Sequence, residues 1–260
     1  MKLTLFYDRP LHDSAAYYYE LAKESRGKAA GLVKAIEETE KELGKAKKAK
    51  KKAARVKREK EWYGKFHFAF TSGGRLMLGG RNAQQNDLLF AKHMDDADLF
   101  FHADIQGASA VILKGGAELP AKAGEAGRQE LAEAAQFAAS FSKAWLNGNA
   151  SVDVYAVRKG QVSKHAAGGF VPTGAFAISG ERTWFRGTKL ALRMGTGEKG
   201  LAIIPEVSPV KLQNPLVLVP SRAGKDKGAL AKSLAKRYGA HPDELLEILP
   251  NGRTKTQVLG

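Results

Sequence analysis

The chain has 260 residues, 43% of them hydrophobic, which allows one large domain or two modest ones with a real core and excludes disorder throughout. Forty-two Lys and Arg against 27 Asp and Glu leave a net charge of +15, a field that draws polyanions such as nucleic acid, a ribosomal surface or anionic lipid. The absence of cysteine excludes a disulfide, a thiolate nucleophile and Cys-ligated zinc, and fits a reducing cytoplasm. No window approaches the roughly 20 apolar residues of a spanning helix, so no membrane partner is expected. Asp8-Arg9-Pro10 interrupts the opening segment before a signal-like apolar core can form, so the mature chain is expected to begin at Met1.

Residues 3–7 read as a short strand and His12 to Arg26 as a helix, with Gly27 permitting a bend. From Ala29 the apolar positions Ala29, Leu32, Ile36, Leu43, Ala46 and Ala53 follow an alternating three-four spacing, with Thr39 and Lys50 at the remaining seam positions. This predicts a coiled-coil-like helix to about Glu61 with a thin seam. Residues 41–60 hold eleven Lys or Arg against Glu42 and Glu59, more than half of the net charge. Each like-charge pair at helical spacing costs roughly 0.2–0.5 kcal/mol, and an external polyanion would relieve that repulsion. Lys47, Lys48, Lys50, Lys51, Lys52 and Arg55 are therefore candidate phosphate contacts on RNA, with a solvated coiled-coil face as the alternative.

After Trp62 the period switches to two. Phe66, Phe68 and Phe70 alternate, Gly73-Gly74 makes a turn, and residues 75–80 continue as a second strand. Core packing is the preferred use of the three rings, and base stacking the alternative. A helix is predicted from Ala83 to Met94, a strand from Asp98 to Asp104, its hairpin partner from Ser109 to Lys114, and a long Ala-rich helix from Arg128 to Leu146. Val152 to Val162 and Ala175 to Phe185 read as strands. Leu190 to Arg193, Leu201 to Pro205 and Leu216 to Val219 complete a β-rich block, and the end is helical. "GTGEKG" (195–200) matches the dinucleotide-binding pattern letter for letter, but strand-like "LAIIPE" follows it instead of a helix, so a tight turn is expected.

The densest polar stretch is "GGRNAQQND", Gly79 to Asp87. Asn82 and Gln85 have the layout of a capping box, with Gln85 reaching back to the Asn82 amide, and the two glycines supply the entry turn. Arg81, Gln84 and Asn86 are left over. A helix start with an arginine beside it suits phosphate, and the amides carry the donor–acceptor pairs that read a base edge. On the next strand Leu99, Phe101 and Ala103 point to one face, expected to be core, while Asp98, Phe100, His102 and Asp104 point to a polar one. His102 and Asp104 at that interval suit metal ligation or acid–base work, or a structural histidine held by an acid.

Three segments, Glu61 to Met94, Asp96 to Gly116 and Gln161 to Phe185, resemble the NFACT-R domain of the ribosome quality control and nuclear export mediator family. That family's members bind the large ribosomal subunit after a stalled translation product splits it. Residues 14–31 resemble the coiled-coil segment preceding that domain, and residues 216–239 and 244–255 resemble a tail of some relatives. Full-length relatives begin with an NFACT-N domain and a helix-hairpin-helix region, which carry the determinants of tRNA selection and C-terminal tailing. This chain resembles a short form starting after both, and leaves open a separately encoded NFACT-N partner. It has Asn82 where the family tends to have Asp, and Gln106 where it tends to have His. Both changes remove a titratable group, which would weaken a catalyst and leave a binding surface intact.

The expectation is an α+β fold: a mixed-sheet NFACT-R-like domain at 63–195, a strand and basic helical arm at 1–62, and a small α/β extension at 196–260. The expected function is cytoplasmic RNA binding without catalysis, cofactor or metal, directed at tRNA, rRNA or the large ribosomal subunit. Arg81, Gln84, Gln85, Asn86, His102, Asp104, Lys114 and Lys164 form the candidate site, with Arg81, Lys114 and Lys164 on phosphates. The alternatives are an RNA-modifying or hydrolytic enzyme centred on His102 and Asp104, and a protein-binding adaptor using the arm.

Overall fold

The computed structural model describes residues 10–52, 61–119, 124–166 and 169–258, and divides into two units, Met1–Glu59 and Lys60–Gly260. In the first unit one helix, α1, runs Leu11–Lys52. It passes through Gly27 and Gly31 without interruption, so the permitted bend is not used: flanking helix formers outweigh the roughly 1 kcal/mol that each glycine costs. Leu32 and Ile36 of the expected seam are exposed, at 65% and 58%. The expected strand at 3–7 and Arg55 fall outside the described residues, as do the side chains of Lys47, Lys48, Lys50, Lys51 and Lys52.

In the second unit a one-turn 3-10 helix at Trp62–Lys65 leads into hairpin β1 (His67–Phe70) and β2 (Leu76–Gly79). Helix α2 (Ala83–His93), strands β3 (Leu99–Ala103) and β4 (Val111–Leu113), helices α3 (Glu125–Ser140) and α4 (Lys143–Asn147), and strand β5 (Ser151–Arg158) follow. Short strands β6 (Val162–Ser163), β7 (His165–Ala166), β8 (Gly169–Phe170) and β9 (Ala177–Ile178) pair as two ribbons, β6 with β9 and β7 with β8. Strand β10 (Thr183–Lys189) completes a six-stranded antiparallel sheet of order β1-β2-β4-β3-β5-β10. A second antiparallel sheet, β12-β11-β13-β14, comprises β11 (Leu192–Gly197), β12 (Gly200–Pro205), β13 (Gln213–Lys225) and β14 (Thr254–Val258). Helices α5 (Lys227–Tyr238) and α6 (Pro242–Ile248) lie between β13 and β14 in sequence. "GTGEKG" is the β11–β12 turn, with Gly197 opposite Gly200. Among the described residues no helix is long and apolar enough to cross a membrane.

Both faces of the first sheet are buried. Ala69, Met77, Phe101 and Val154 pack with α3 and with Leu192, Met194 and Leu218 of the second sheet in one cluster, while Phe66, Leu78, Phe100 and Ile112 pack with Leu89 of α2 in another. The expected polar face of β3 is therefore corrected: Phe100 is fully buried and Asp98 nearly so, the latter bonded to Lys114 and to the amides of Asp95 and Gly115. α3 is buried almost all round, which is why it is built of alanine, and its buried Glu130 and Glu133 are held by Thr71, Ser72 and Arg75. The expected single helix over 128–146 breaks at Phe141, because the Ser142 hydroxyl both donates to the Ala139 carbonyl and caps α4. The second sheet shares its core with the first, and position 195/196 lies inside β11. The closing strand β14, not foreseen from sequence, is tied in by Trp145 Nε1 donating to Thr254 Oγ1 at 2.9 Å.

Candidate nucleic-acid interface

A cleft of about 660 Å³ opens where β2 turns into α2. Its other walls are the Ile105–Ser109 loop, the Phe141–Leu146 break and the Pro172–Phe176 loop. The turn follows from its residues. A Cβ at Gly80 would collide with the Asn86 amide, so only glycine permits the approach. Ser109 Oγ donates to the Gly80 carbonyl, while buried Asn86 donates to Ala108 O at 3.4 Å and accepts from Ala110 N at 3.1 Å. Asn82 accepts from the Gln85 amide at 2.9 Å, the expected cap. Gln85 returns to the Arg81 amide rather than that of Asn82, at 3.0 Å, and its Nε2 donates to Lys65 O at 3.1 Å. Gly174, at φ +78°, sits against Ala83 where a Cβ would come within 2.6 Å, bringing its loop onto the start of α2.

Several expected contacts have other partners. The Arg81 guanidinium donates through Nη2 to Gly64 O at 3.2 Å and Phe66 O at 3.1 Å, so part of it holds the entry to β1 while the residue also lines the cleft. Lys114 is ion-paired with Asp95 at 2.7 Å and Asp98 at 2.6 Å. Lys164 pairs with Asp87 at 2.8 Å, donates to the carbonyls of Pro172 and Ala175, and lies 4.9 Å from the Phe176 ring centroid. Lys164 thus holds the Pro172–Phe176 wall, whereas Lys114 ties β4 to Asp95 and Asp98. Asn86 is a latch between β2 and β4, and Gln84 is exposed outside the lining. The structure brings Arg81, Asn82, Asn86 and His102 to the cleft; Gln84, Gln85, Asp104, Lys114 and Lys164 are not among its lining residues.

His102 lies in an aromatic wall. Its ring is parallel to Phe100 (6.1 Å, 6°) and 5.8 Å from Tyr155, the residue opposite it on β5. Burial pulls its pKa down to about 4, against the opposing Ala103 backbone and Asp104 charge, so it is neutral at pH 7. Asp104 is exposed, and its amide donates to Asp153 O. The imidazole thus presents a flat neutral surface beside Phe100 and Tyr155. Beyond the wall, Arg182 stands 4.6 Å from the Tyr155 centroid and Arg186 3.8 Å from that of Trp184.

Sequence reasoning missed His67. Strand alternation places it opposite Phe66 and Phe68, on the Ala69 face, and that parity was its only signal. Its ring stacks on Phe141 at 4.1 Å, and its buried Nδ1 has no hydrogen-bond partner among the described residues; nor has the buried Nε of Arg81. Burial first, then the charges of Arg81 and Lys227, hold the His67 pKa well below its usual value. Burial and then Arg81 lower that of Lys227, which donates at 2.8 Å to Oδ1 of Asn251, a lining residue of the cleft.

Fold and cleft together define an α+β domain whose cleft has a ring-lined, neutral wall and is also lined by Arg81. Residues 65–180 match the family model of the NFACT protein RNA binding domain, and this stretch of the chain belongs to that family. It is 35% identical over 207 residues to the archaeal Rqc2 homolog aRqcH of Methanocaldococcus jannaschii, covering 76% of this chain and 30% of that protein. It is 37% identical over 134 residues to the ribosome quality control complex subunit NEMF homolog of Drosophila melanogaster, covering 50% of this chain and 13% of that one. With ribosome quality control complex subunit 2 of Schizosaccharomyces pombe the identity is 32% over 194 residues, 70% of this chain and 18% of the relative. The chain thus spans less than a third of the length of each of these relatives.

Proposed function

We propose that this chain binds RNA in ribosome-associated quality control, in the cytoplasm, through tRNA, rRNA or the large ribosomal subunit. The observation that carries the reading is a coincidence of position: the cleft takes most of its lining, from His67 to Phe176, out of the stretch that matches an RNA-binding family. The relatives' names add the ribosomal context. Two parts divide the work. The cations of residues 41–60 attract phosphate at long range without regard to sequence, and the cleft accepts what the neutral rings and amides select. Nothing in the cleft needs to titrate near neutral pH for this. A binding surface of this kind works as a preformed shape.

The test is titration of the whole chain with tRNA and with purified large ribosomal subunits, an acidic protein serving as control. If the arm touches about six phosphates, affinity should fall around a thousandfold between roughly 50 and 200 mM salt. Replacing Lys47, Lys48, Lys50, Lys51 and Lys52 with Gln should weaken all RNAs alike and flatten that slope. Equal binding of the acidic protein, or a flat salt response in the unsubstituted chain, would overturn the reading.

A further inference from the structure

The cleft has two chemically different ends, and the difference specifies an occupant more closely than RNA in general. At one end Arg81 and His67 line the cleft, and Lys227, itself outside the lining, bonds to the lining residue Asn251; the charges of Arg81 and Lys227 act on His67 while that of Arg81 acts on Lys227. Glu247 is the carboxylate that acts back on Arg81. Two buried nitrogens there, His67 Nδ1 and Arg81 Nε, lack a partner among the described residues. The Arg81 Nε–H is a donor, and neutral imidazole becomes one at Nδ1 in one of its two tautomers. Buried polar atoms without partners are rare in folded proteins, because leaving one unpaired forfeits its bonds to water. Two of them beside an excess of positive charge are what an oxyanion would satisfy at once.

The other end is flat and aromatic. Phe100, His102 and Tyr155 stand along it, and Phe176 closes it from the loop that Lys164 and Gly174 hold against α2. Rings of this kind stack bases without needing a particular one. Exposed Asn82 at the rim has an amide for the base edge. A volume of about 660 Å³ lies in the range of sites for single small ligands, and is far too small for a duplex.

We propose that the cleft takes one unpaired nucleotide of RNA, its base against the His102–Tyr155–Phe176 wall and its phosphate in the corner made by Arg81, Lys227 and the orphan Nδ1 of His67. This deepens the RNA-binding reading and rests on it. It also assigns roles to His67 and Lys227, and makes the domain selective for a single-stranded or splayed-out site. The arm has no such selectivity.

The experiment compares adenosine 5′-monophosphate, adenosine and inorganic phosphate as ligands of the whole chain, by calorimetry and by the imidazole signals of His67. The monophosphate should bind at least about tenfold more tightly than either half, as two linked subsites require. It should also shift the His67 Nδ1 resonance. Lys227→Gln keeps a partner for Asn251, so it should leave the melting temperature in place while weakening the monophosphate by about tenfold, the loss expected for one charge-assisted contact. Lys143→Gln, at an exposed position of the cleft mouth, should weaken it less. Equal binding of adenosine and its monophosphate, or an unmoved His67 resonance, would overturn the proposal and leave the two nitrogens to a buried water. The two readings fail differently. A chain that binds RNA equally well with and without Lys227→Gln, and ignores the monophosphate, refutes the pocket and keeps the RNA reading. A chain that binds the monophosphate as described but no RNA refutes the broader function and keeps the pocket.

Discussion

The two sides of the cleft use their polar groups differently. On the α2 side nearly every polar side chain from Arg81 to Asp87 is bonded to protein: Asn82 caps the helix, Gln85 holds Lys65, Asn86 latches β4, and Asp87 receives Lys164. On the far side the rings of His102 and Tyr155 form a wall, and in the corner with Arg81 His67 keeps a nitrogen that has no partner among the described residues. Hydrogen-bonding capacity in a sequence therefore measures how hard a corner is to build. Recognition lies in what the fold leaves over.

The largest effect that comparison predicts is at Asn86. Replacing it with Leu removes the donor to Ala108 O and the acceptor of Ala110 N–H, leaving two buried backbone groups unpaired at about 1–3 kcal/mol each. Stability measured in urea should fall by roughly 3 kcal/mol. RNA affinity should fall only as the folded fraction does. A loss under about 0.5 kcal/mol, the ordinary size for a surface change, would mean that Asn86 is free for ligand after all.

The aromatic wall has its own signature, in pH. His102 titrates near 4 in the folded chain and near its ordinary value of 6.5 when unfolded. Between these the unfolded chain holds a proton that the folded chain refuses, so stability is full above about pH 6.5, declines as pH falls, and stops declining below about 4. For His102 alone the loss between neutrality and pH 5 is about 2 kcal/mol. His67, lowered by burial, acts in the same direction. Urea melts at several pH values should show the decline, and His102→Gln should flatten it. An unchanged slope in that variant would place the titrating group elsewhere.

How far these features were legible depends on the range of the interaction behind them. Local signals held: the β1–β2 hairpin, the Asn82 cap and the "GTGEKG" turn are decided within a few residues, by alternation, capping and glycine. The face of β3 did not hold, because its burial comes from α2 and from β5, 50 residues away in the chain. Nor did the cations. Lys114 and Lys164 read as free charges until Asp95, Asp98 and Asp87 arrive beside them. His67 was least visible, since its neighbours Phe141 and Lys227 come from distant segments and its parity on β1 matches a core residue. A single sequence carries no record of those juxtapositions.

A smaller effect belongs to Asn82. Its side chain caps α2 at 2.9 Å, so Asn82→Ala should cost about 0.5–2 kcal/mol in a thermal or urea melt. Because Asn82 also lines the cleft, RNA affinity at fixed salt should fall slightly more than the lost folding accounts for. If affinity tracks folding alone, the amide is a cap and nothing else.

The smallest effect is at Gln84, which sequence reading ranked with Arg81 as a ligand contact. Helical geometry decides against that equivalence. Residues 82, 83 and 86 line the cleft, and positions three and four apart share one face of a helix, so 84 is turned away from that face. Gln84 is exposed. Gln84→Ala should therefore change stability by less than about 0.5 kcal/mol, the ordinary size for a surface substitution away from caps and core. It should leave RNA affinity at fixed salt unaltered as well. If that affinity falls with stability intact, the bound RNA extends past the cleft across the outer face of α2, a third surface beside the two sides of the cleft.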